Sequence, residues 1–432
     1  MINVGIIGFG TVGAGTAKIL LKNKNLLRNR TGIKINLKKI ADLDIKRDRG
    51  VKLADNVLTR NADELIHDPD IDIIVELIGG TGIARELILK AIRNGKHVVT
   101  ANKALLATHG TEILKAAGEM NVELGFEASV AGGIPIIKVI REGLVANRIK
   151  AVYGIINGTT NYILTRMTEE KKDFGVALKE AQKLGYAEAD PTFDIEGVDS
   201  AHKLAIIASL SYSSQFNLKD VYCEGISGIS PMDIEFALEL GYKLKLLAIA
   251  KRQGAKVELR VHPTMIPEEY LISKIDGVYN AVSVEGDAVG ATLYYGKGAG
   301  DMPTGSAVVS DIVDIARNIA SNSTGRMPLM AKPEKAVSPM KMDDVVSMYY
   351  FRFSALDKPG VLSKISGILG KYNISIASVI QKGRREGKAV PLVVLTHKAR
   401  EKNVVMAIKA IDKLPVVAGR TVFIRVEHKD PD

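Results

Sequence analysis

The chain opens on INVGIIGFGTVGAGTAKILL, a β-branched apolar run that meets a glycine-rich turn and passes into an amphipathic repeat. That order predicts strand, turn and helix. The pattern then recurs. INLKKIAD reads as a second strand, DIDIIVELIGG as a nearly continuous apolar strand of the buried parallel kind, ARELILKAIRNG as a helix closed by Gly95, and KHVVTANKALLA as another strand. Strands alternating with helices predict an α/β N-terminal domain of the Rossmann dinucleotide-binding type over residues 1–135.

Beyond it the periods mix. VDSAHKLAIIASL has helical spacing, whereas AKVELRVHPTMIP and YNAVSVEGDAVGATLYYGKGAG read as strands, so residues 136–322 form an α+β domain. Its last piece, GAGDMPTGSAVVSDIVDIARNIA, reads as a loop entering a helix with Asp311 and Asp314 on the polar face; residues 300–322 are placed back against the first domain. Residues 323–346 lack any period and read as a linker. Residues 347–432 then run strand, helix, strand, strand, helix, strand, the βαββαβ order of a ferredoxin-like unit, which is read as a separate small domain.

The glycines fall where chemistry needs them. Gly8-Phe9-Gly10-Thr11-Val12-Gly13 lies between a strand and a helix, the setting in which GxGxxG brings a pyrophosphate to a helix N-terminus. The second strand ends in Asp42 and Asp44, followed by Lys46, Arg47 and Arg49. An acid there suits the ribose hydroxyls of NAD and a base suits the phosphate of NADP, so both cofactors stay open. Thr100, Asn102 and Lys103 fall at the carboxyl end of a strand, where open α/β sheets bind ligands.

Residues 185–203, GYAEADPTFDIEGVDSAHK, concentrate Glu188, Asp190, Asp194 and Asp199 before Lys203. Asp199 and Lys203 are four apart on a helix and share a face. Two readings compete: a solvated ion pair of small worth, or an acid-lined pocket for a cationic small molecule with a lysine placed to move a proton. Glu127 poses a similar choice, because a carboxylate before a Gly-rich turn is either part of a plain turn or, with backbone carbonyls, a hard-cation site. Asn157 to Asn161 form a polar turn, an ordinary helix cap or part of a pocket wall.

Composition narrows the field. The formal charge is +10, but the basic residues are spread out, and 5% aromatics without tryptophan gives little to stack on bases; anionic small molecules suit better than nucleic acid. One cysteine precludes an internal disulfide and suits a reducing cytoplasm, and no apolar run is long enough to span a bilayer. The scattered histidines show no transition-metal cluster.

GFGTVG, TANKALLA, NGTTNYIL and above all GYAEADPTFDIEGVDSAHKLAI together resemble homoserine dehydrogenase in its single-function form, and DKPGVLSKISGIL resembles the opening of an ACT domain. The resemblance covers the whole chain. It implies interconversion of L-aspartate 4-semialdehyde and L-homoserine with NADP or NAD, in threonine, methionine and isoleucine biosynthesis. It also implies Lys203 and Lys103 as catalytic residues, and Glu188, Asp199 and Asp194 at the substrate. The cofactor falls to Gly8, Phe9, Gly10, Thr11, Val12, Gly13, Thr100, Lys103, Gly185 and Gly300. A sodium ion falls to Glu127, Val130, Gly132 and Ile134. The second domain becomes a substrate-binding and dimerisation domain, the assembly a homodimer or homotetramer, and the ACT domain a regulatory site for threonine. Two rivals stand beside this: an oxidoreductase of another small aldehyde or alcohol, and a non-catalytic amino-acid sensor.

Overall fold

The computed structural model describes residues 1–328, 331, 335–382 and 388–427; part of the expected linker therefore lies outside the described residues. Two compact units interleave along the chain, one built from Met1–Gly158, Val198–Val221 and Val278–Val337, the other from Thr159–Gly197, Tyr222–Gly277 and residues 338 onward.

The first unit begins with β1 (Ile2–Ile7), α1 (Thr11–Lys22), α2 (Lys24–Thr31), β2 (Ile35–Ala41), β3 (Leu58–Thr59), α3 (Asp63–Ile66), β4 (Ile73–Glu76), α4 (Ile83–Arg93), β5 (His97–Thr100), α5 (Lys103–Glu119) and β6 (Leu124–Gly125). The strands form one parallel sheet in the order β3-β2-β1-β4-β5-β6. The order runs outward from β1 both ways, so the topological switch falls between β1 and β4, where a crevice opens beyond the carboxyl ends. Helices cover the sheet, which is why Val4, Ile6, Ile73, Val75 and Val99 are fully buried and the strands lack alternation. The long connection before β2 is taken up by α2.

The chain continues through α6 (Ile136–Lys138), β7 (Ile149–Ile155), α7 (Gly158–Glu170), α8 (Phe174–Lys183), α9 (Thr192–Ile195) and α10 (Val198–Ser211). After them come β8 (Tyr222–Cys223), α11 (Pro231–Glu239), β9 (Tyr242–Gln253), β10 (Lys256–Pro267), β11 (Tyr279–Gly286), β12 (Gly290–Lys297) and α12 (Asp301–Ala320). Within the first unit β11 pairs antiparallel with both β7 and β12, and α12 packs along α1, adding Val308, Ile312 and Ile315 to the core under β1. One expectation fails here. Asp311 is not on a polar face but 4% exposed, and its Oδ2 accepts the Glu127 N–H at 2.8 Å. α12 is covered on that side as well, so a helical position that reads as polar is turned inward to satisfy a buried amide.

The second unit ends with β13 (Ser338–Pro339), β14 (Val346–Leu356), α13 (Val361–Lys371), β15 (Ile376–Gln381), β16 (Ala389–Thr396), β17 (Ala399–Arg400), α14 (Glu401–Ile411) and β18 (Val422–Val426). The order β18-β14-β16-β15, with α13 and α14 in one apolar core, is the ferredoxin-like arrangement. Its sheet does not stop at β18. That strand pairs in parallel with β10, and β10 pairs along its whole length with β9.

Buried charge accompanies that junction. Arg425, 1% exposed, donates to Glu401 at 2.5 Å and to Glu224 at 2.8 Å, while Arg260, 2% exposed, donates to Glu258 at 2.9 Å and Glu427 at 2.8 Å. Removing one member of such a buried set costs about 3–5 kcal/mol, because the partner is left charged and dry. His262 lies beside both guanidiniums; burial, then Arg425 and Arg260, hold it neutral well below its ordinary range. Among the described residues, no helix is long and apolar enough to cross a membrane.

Candidate active site

The crevice at the sheet switch is shaped by its first turn. Gly8 has φ 104°, and a Cβ there would lie 2.7 Å from the Leu77 carbonyl carbon; a Cβ on Gly13 would lie 2.1 Å from the Gly8 oxygen. Only glycine allows this approach of α1 to β1. The adjoining cleft holds about 520 Å³, lined by Gly8, Gly10, Asp42, Leu43, Leu77 and Ile78 among others. α1 begins at Thr11 with no acid in its first turn, so its positive end stays available to an anion.

Asp42 is tied into this turn. Its Oδ2 accepts the Phe9 N–H at 2.5 Å, its Oδ1 lies 3.4 Å from Arg49 Nη2, and the Arg49 guanidinium sits 5.3 Å from the Phe9 ring centre. The floor beyond β4 and β5 is rigid. Glu76, fully buried, accepts from the Thr100 hydroxyl at 2.7 Å and from the Ile78 and Gly79 amides; Asn102 caps α5 by accepting from Leu105 at 3.1 Å and donates to Gly80 at 2.6 Å. Glu76 was not singled out from sequence, because one acid ending an apolar strand carries no distinctive spacing.

The second cluster joins three elements of the same unit. Lys203 on α10 donates to Asp199 Oδ2 at 2.6 Å and to the Ile156 carbonyl oxygen, just past β7, at 2.7 Å. Lys103, the first residue of α5, brings its Nζ to 3.0 Å from Asp199 Oδ1. Asn157 Nδ2 donates to Asp199 Oδ2 at 2.9 Å. Asp199 is 3% exposed and Lys203 9%, so the pair is not a solvated helix decoration. Burial pushes the Asp199 carboxyl up, but the ammoniums of Lys203 and Lys103 and their hydrogen bonds outweigh it and hold the group well below the usual carboxylate range. Two of the three Lys203 ammonium hydrogens go to Asp199 and Ile156, which leaves one to give to a developing oxyanion. The sequence left Asn157 open between a helix cap and a pocket wall and gave no sign of the Ile156 carbonyl, since both contacts come from a fold-dependent meeting of β7 with α10.

Glu188, Asp194 and Gly185 lie in the second unit, while Asp199 and both lysines lie in the first. Glu188 is exposed in the loop after α8, and Gly185 has φ 75°. Asp194 on α9 takes the Thr159 hydroxyl at 2.9 Å, which also lies 2.7 Å from the Tyr186 carbonyl oxygen.

Around Glu127 the carboxylate has a structural task. Its two oxygens accept the Ile137 and Lys138 amides at 2.7 and 2.9 Å, capping α6, and the Ile134 carbonyl accepts from Ile136 at 2.8 Å. Burial, then the neighbouring Asp311, raises the Glu127 carboxyl to about 7; burial raises Asp311 to about 6, against the pull of Lys138. Two buried acids short of positive charge are chemically suited to a nearby cation. Among the described residues, no three His, Cys, Asp or Glu side chains are grouped to hold a metal together.

Comparison with known proteins decides the family. The family described as homoserine dehydrogenase matches residues 135–313, its NAD-binding domain residues 8–127, and the ACT domain residues 349–413. The homoserine dehydrogenase of Neisseria gonorrhoeae is 48% identical over 429 residues, covering 99% of this chain and 98% of that one. The chain belongs to the homoserine dehydrogenase family. The solved homoserine dehydrogenase of Thiobacillus denitrificans shares 49% identity with a TM-score of 0.93, covering 99% of this chain and 98% of that one. A hyperthermophilic archaeal homoserine dehydrogenase solved with NADPH shares 28% identity with a TM-score of 0.62, covering 73% of this chain and 97% of that one. This member of the family is therefore an NAD(P)-dependent oxidoreductase acting on small molecules, and the sensor reading falls.

The Glu127 carboxyl gives a pH expectation. Its value of about 7 in the fold, against 4.5 ordinarily, means the folded state binds that proton more tightly than the unfolded one. The associated stability is full below about 4.5 and lost as pH rises to about 7, roughly 3 kcal/mol in all. Urea denaturation of Glu127→Gln across that window is expected to show a flatter dependence on pH than the parent, whatever the change in absolute stability. An unchanged slope would show that the group does not carry it.

Proposed function

We propose that this member interconverts L-aspartate 4-semialdehyde and L-homoserine with Lys203 as the proton-transfer group. The observation that carries the reading is one buried carboxylate, Asp199, holding two lysines on its two oxygens. When bound, the nicotinamide cofactor supplies the hydride chemistry. Reduction of the aldehyde builds negative charge on its oxygen, and Lys203 gives that oxygen a proton. In reverse, Lys203 in its neutral form takes the hydroxyl proton. Both substrates carry an α-ammonium, for which Glu188, Asp194 and Asp199 are the proposed acids.

Cofactor binding is assigned to the turn Gly8, Phe9, Gly10, Thr11, Val12 and Gly13, with Thr100, Lys103, Gly185 and Gly300. Asp42 and Arg49 stand together at the end of β2, so NAD and NADP are both to be tried. A sodium ion is proposed on Glu127 with backbone oxygens of Val130, Gly132 and Ile134; the charge-poor acids Glu127 and Asp311 support it. A homodimer or homotetramer is supported by β12, an edge strand with Tyr295 67% exposed.

The test of the catalytic assignment is the appearance of reduced nicotinamide from homoserine with NAD and with NADP, in the parent and in Lys203→Ala. The variant is expected to lose about 10²–10⁴ of kcat, the usual worth of a placed proton donor, while still binding cofactor. Undiminished turnover would remove Lys203 from the mechanism.

Threonine is the proposed effector of the ACT domain, as the product of a sequence of steps that begins from homoserine. The turn Asp357 to Gly360, with Gly360 at φ 83° before α13, supports an amino-acid site there. Truncation is a poor test, because β18 pairs with β10 and Glu427 is a partner of buried Arg260. Threonine added to the full chain is expected to inhibit saturably and to raise Tm. No effect on either rejects threonine.

A further inference from the structure

We infer that Asn157 is a positioning residue for proton transfer: its amide fixes the plane of the Asp199 carboxylate so that Oδ2 serves Lys203 and Oδ1 serves Lys103. The inference rests on the homoserine oxidation proposed above.

The terminal torsion of an aspartate is soft and roughly two-fold, so the carboxylate has no strong preference of its own for which oxygen faces which partner. Lys203 and Asn157 both donate to Oδ2, at 2.6 and 2.9 Å, which fills the two lone pairs of that oxygen. Oδ1 is then the oxygen left toward Lys103, at 3.0 Å. Asn157 is itself held, being 5% exposed and directly after Ile156, whose carbonyl takes another Lys203 hydrogen at 2.7 Å. Gly158 follows at the start of α7, where a Cβ would lie 2.9 Å from the Val278 oxygen, so the path of this short segment is constrained. One dipeptide beyond β7 therefore touches both the lysine and its counter-ion.

The amide has an electrostatic consequence. A donor on Oδ2 disperses part of the Asp199 charge and so loosens the hold of Asp199 on the Lys203 proton. Among the described residues, the charged group paired with Lys203 is Asp199 on its own helix, which also pairs with Lys103 from α5; burial lowers the adjacent His202 below its ordinary range. Removing the amide, or replacing it by a carboxylate, should make neutral Lys203 harder to reach.

The experiment is the pH profile of kcat/KM for homoserine oxidation in the parent, Asn157→Ala and Asn157→Asp, with cofactor binding by fluorescence as the check on folding. The ascending limb is expected to move to higher pH by about half a unit in Asn157→Ala and by about one unit or more in Asn157→Asp. Aldehyde reduction at neutral pH should fall less than oxidation does. A purely structural role would lower kcat or Tm with the limb unmoved, and that result overturns the inference. Loss of cofactor binding in both variants would equally mark Asn157 as structural and overturn it. A parent enzyme silent toward homoserine would defeat the underlying reading, whereas an active parent with unshifted variants defeats this inference alone.

Discussion

One buried carboxylate shared by two ammoniums is the constraint on which the proposed active site depends. Asp199 lies in an interior where an isolated charge could not persist, and it stays ionised because Lys203 and Lys103 approach it from α10 and α5. The lysines are in turn fixed by it. The turn after β7 supplies the rest of the frame through the Ile156 carbonyl and the Asn157 amide.

The same logic appears elsewhere with different outcomes. Arg425 and Arg260 are saturated by glutamates, and they tie the ferredoxin-like sheet to β10 within one compact unit. Saturated pairs of that kind hold geometry and have no proton to give. Glu127 and Asp311 are the reverse case: acids with too little positive charge, raised toward neutrality. In each place, the balance of buried acids and bases sets what the group can do.

Much of this was legible in the chain because local patterns are local physics. GFGTVG declares its turn by glycine spacing, α10 begins at Val198 as its apolar period requires, and βαββαβ follows from alternating periods of two and 3.6. What escaped depends on burial that no local pattern states. In β10, Glu258, Arg260, His262 and Thr264 alternate with apolar residues, a period that marks a strand without telling whether its polar face is covered; these polar groups are buried. Asp311 misleads in the same way on α12. The Asp199–Lys203 spacing fits a surface pair as well as a buried one, and the approach of Lys103 and Asn157 from distant segments is not written in that spacing.

The most direct measurement is the pH dependence of kcat for homoserine oxidation in Asp199→Asn. With the shared charge removed and the shape kept, Lys203 should release its proton more readily. The ascending limb is then expected at lower pH than in the parent, by about one unit or more, with a plateau about 10²-fold lower. A limb that stays where the parent has it would show that Asp199 does not govern the protonation of the catalytic lysine, and would contradict the account.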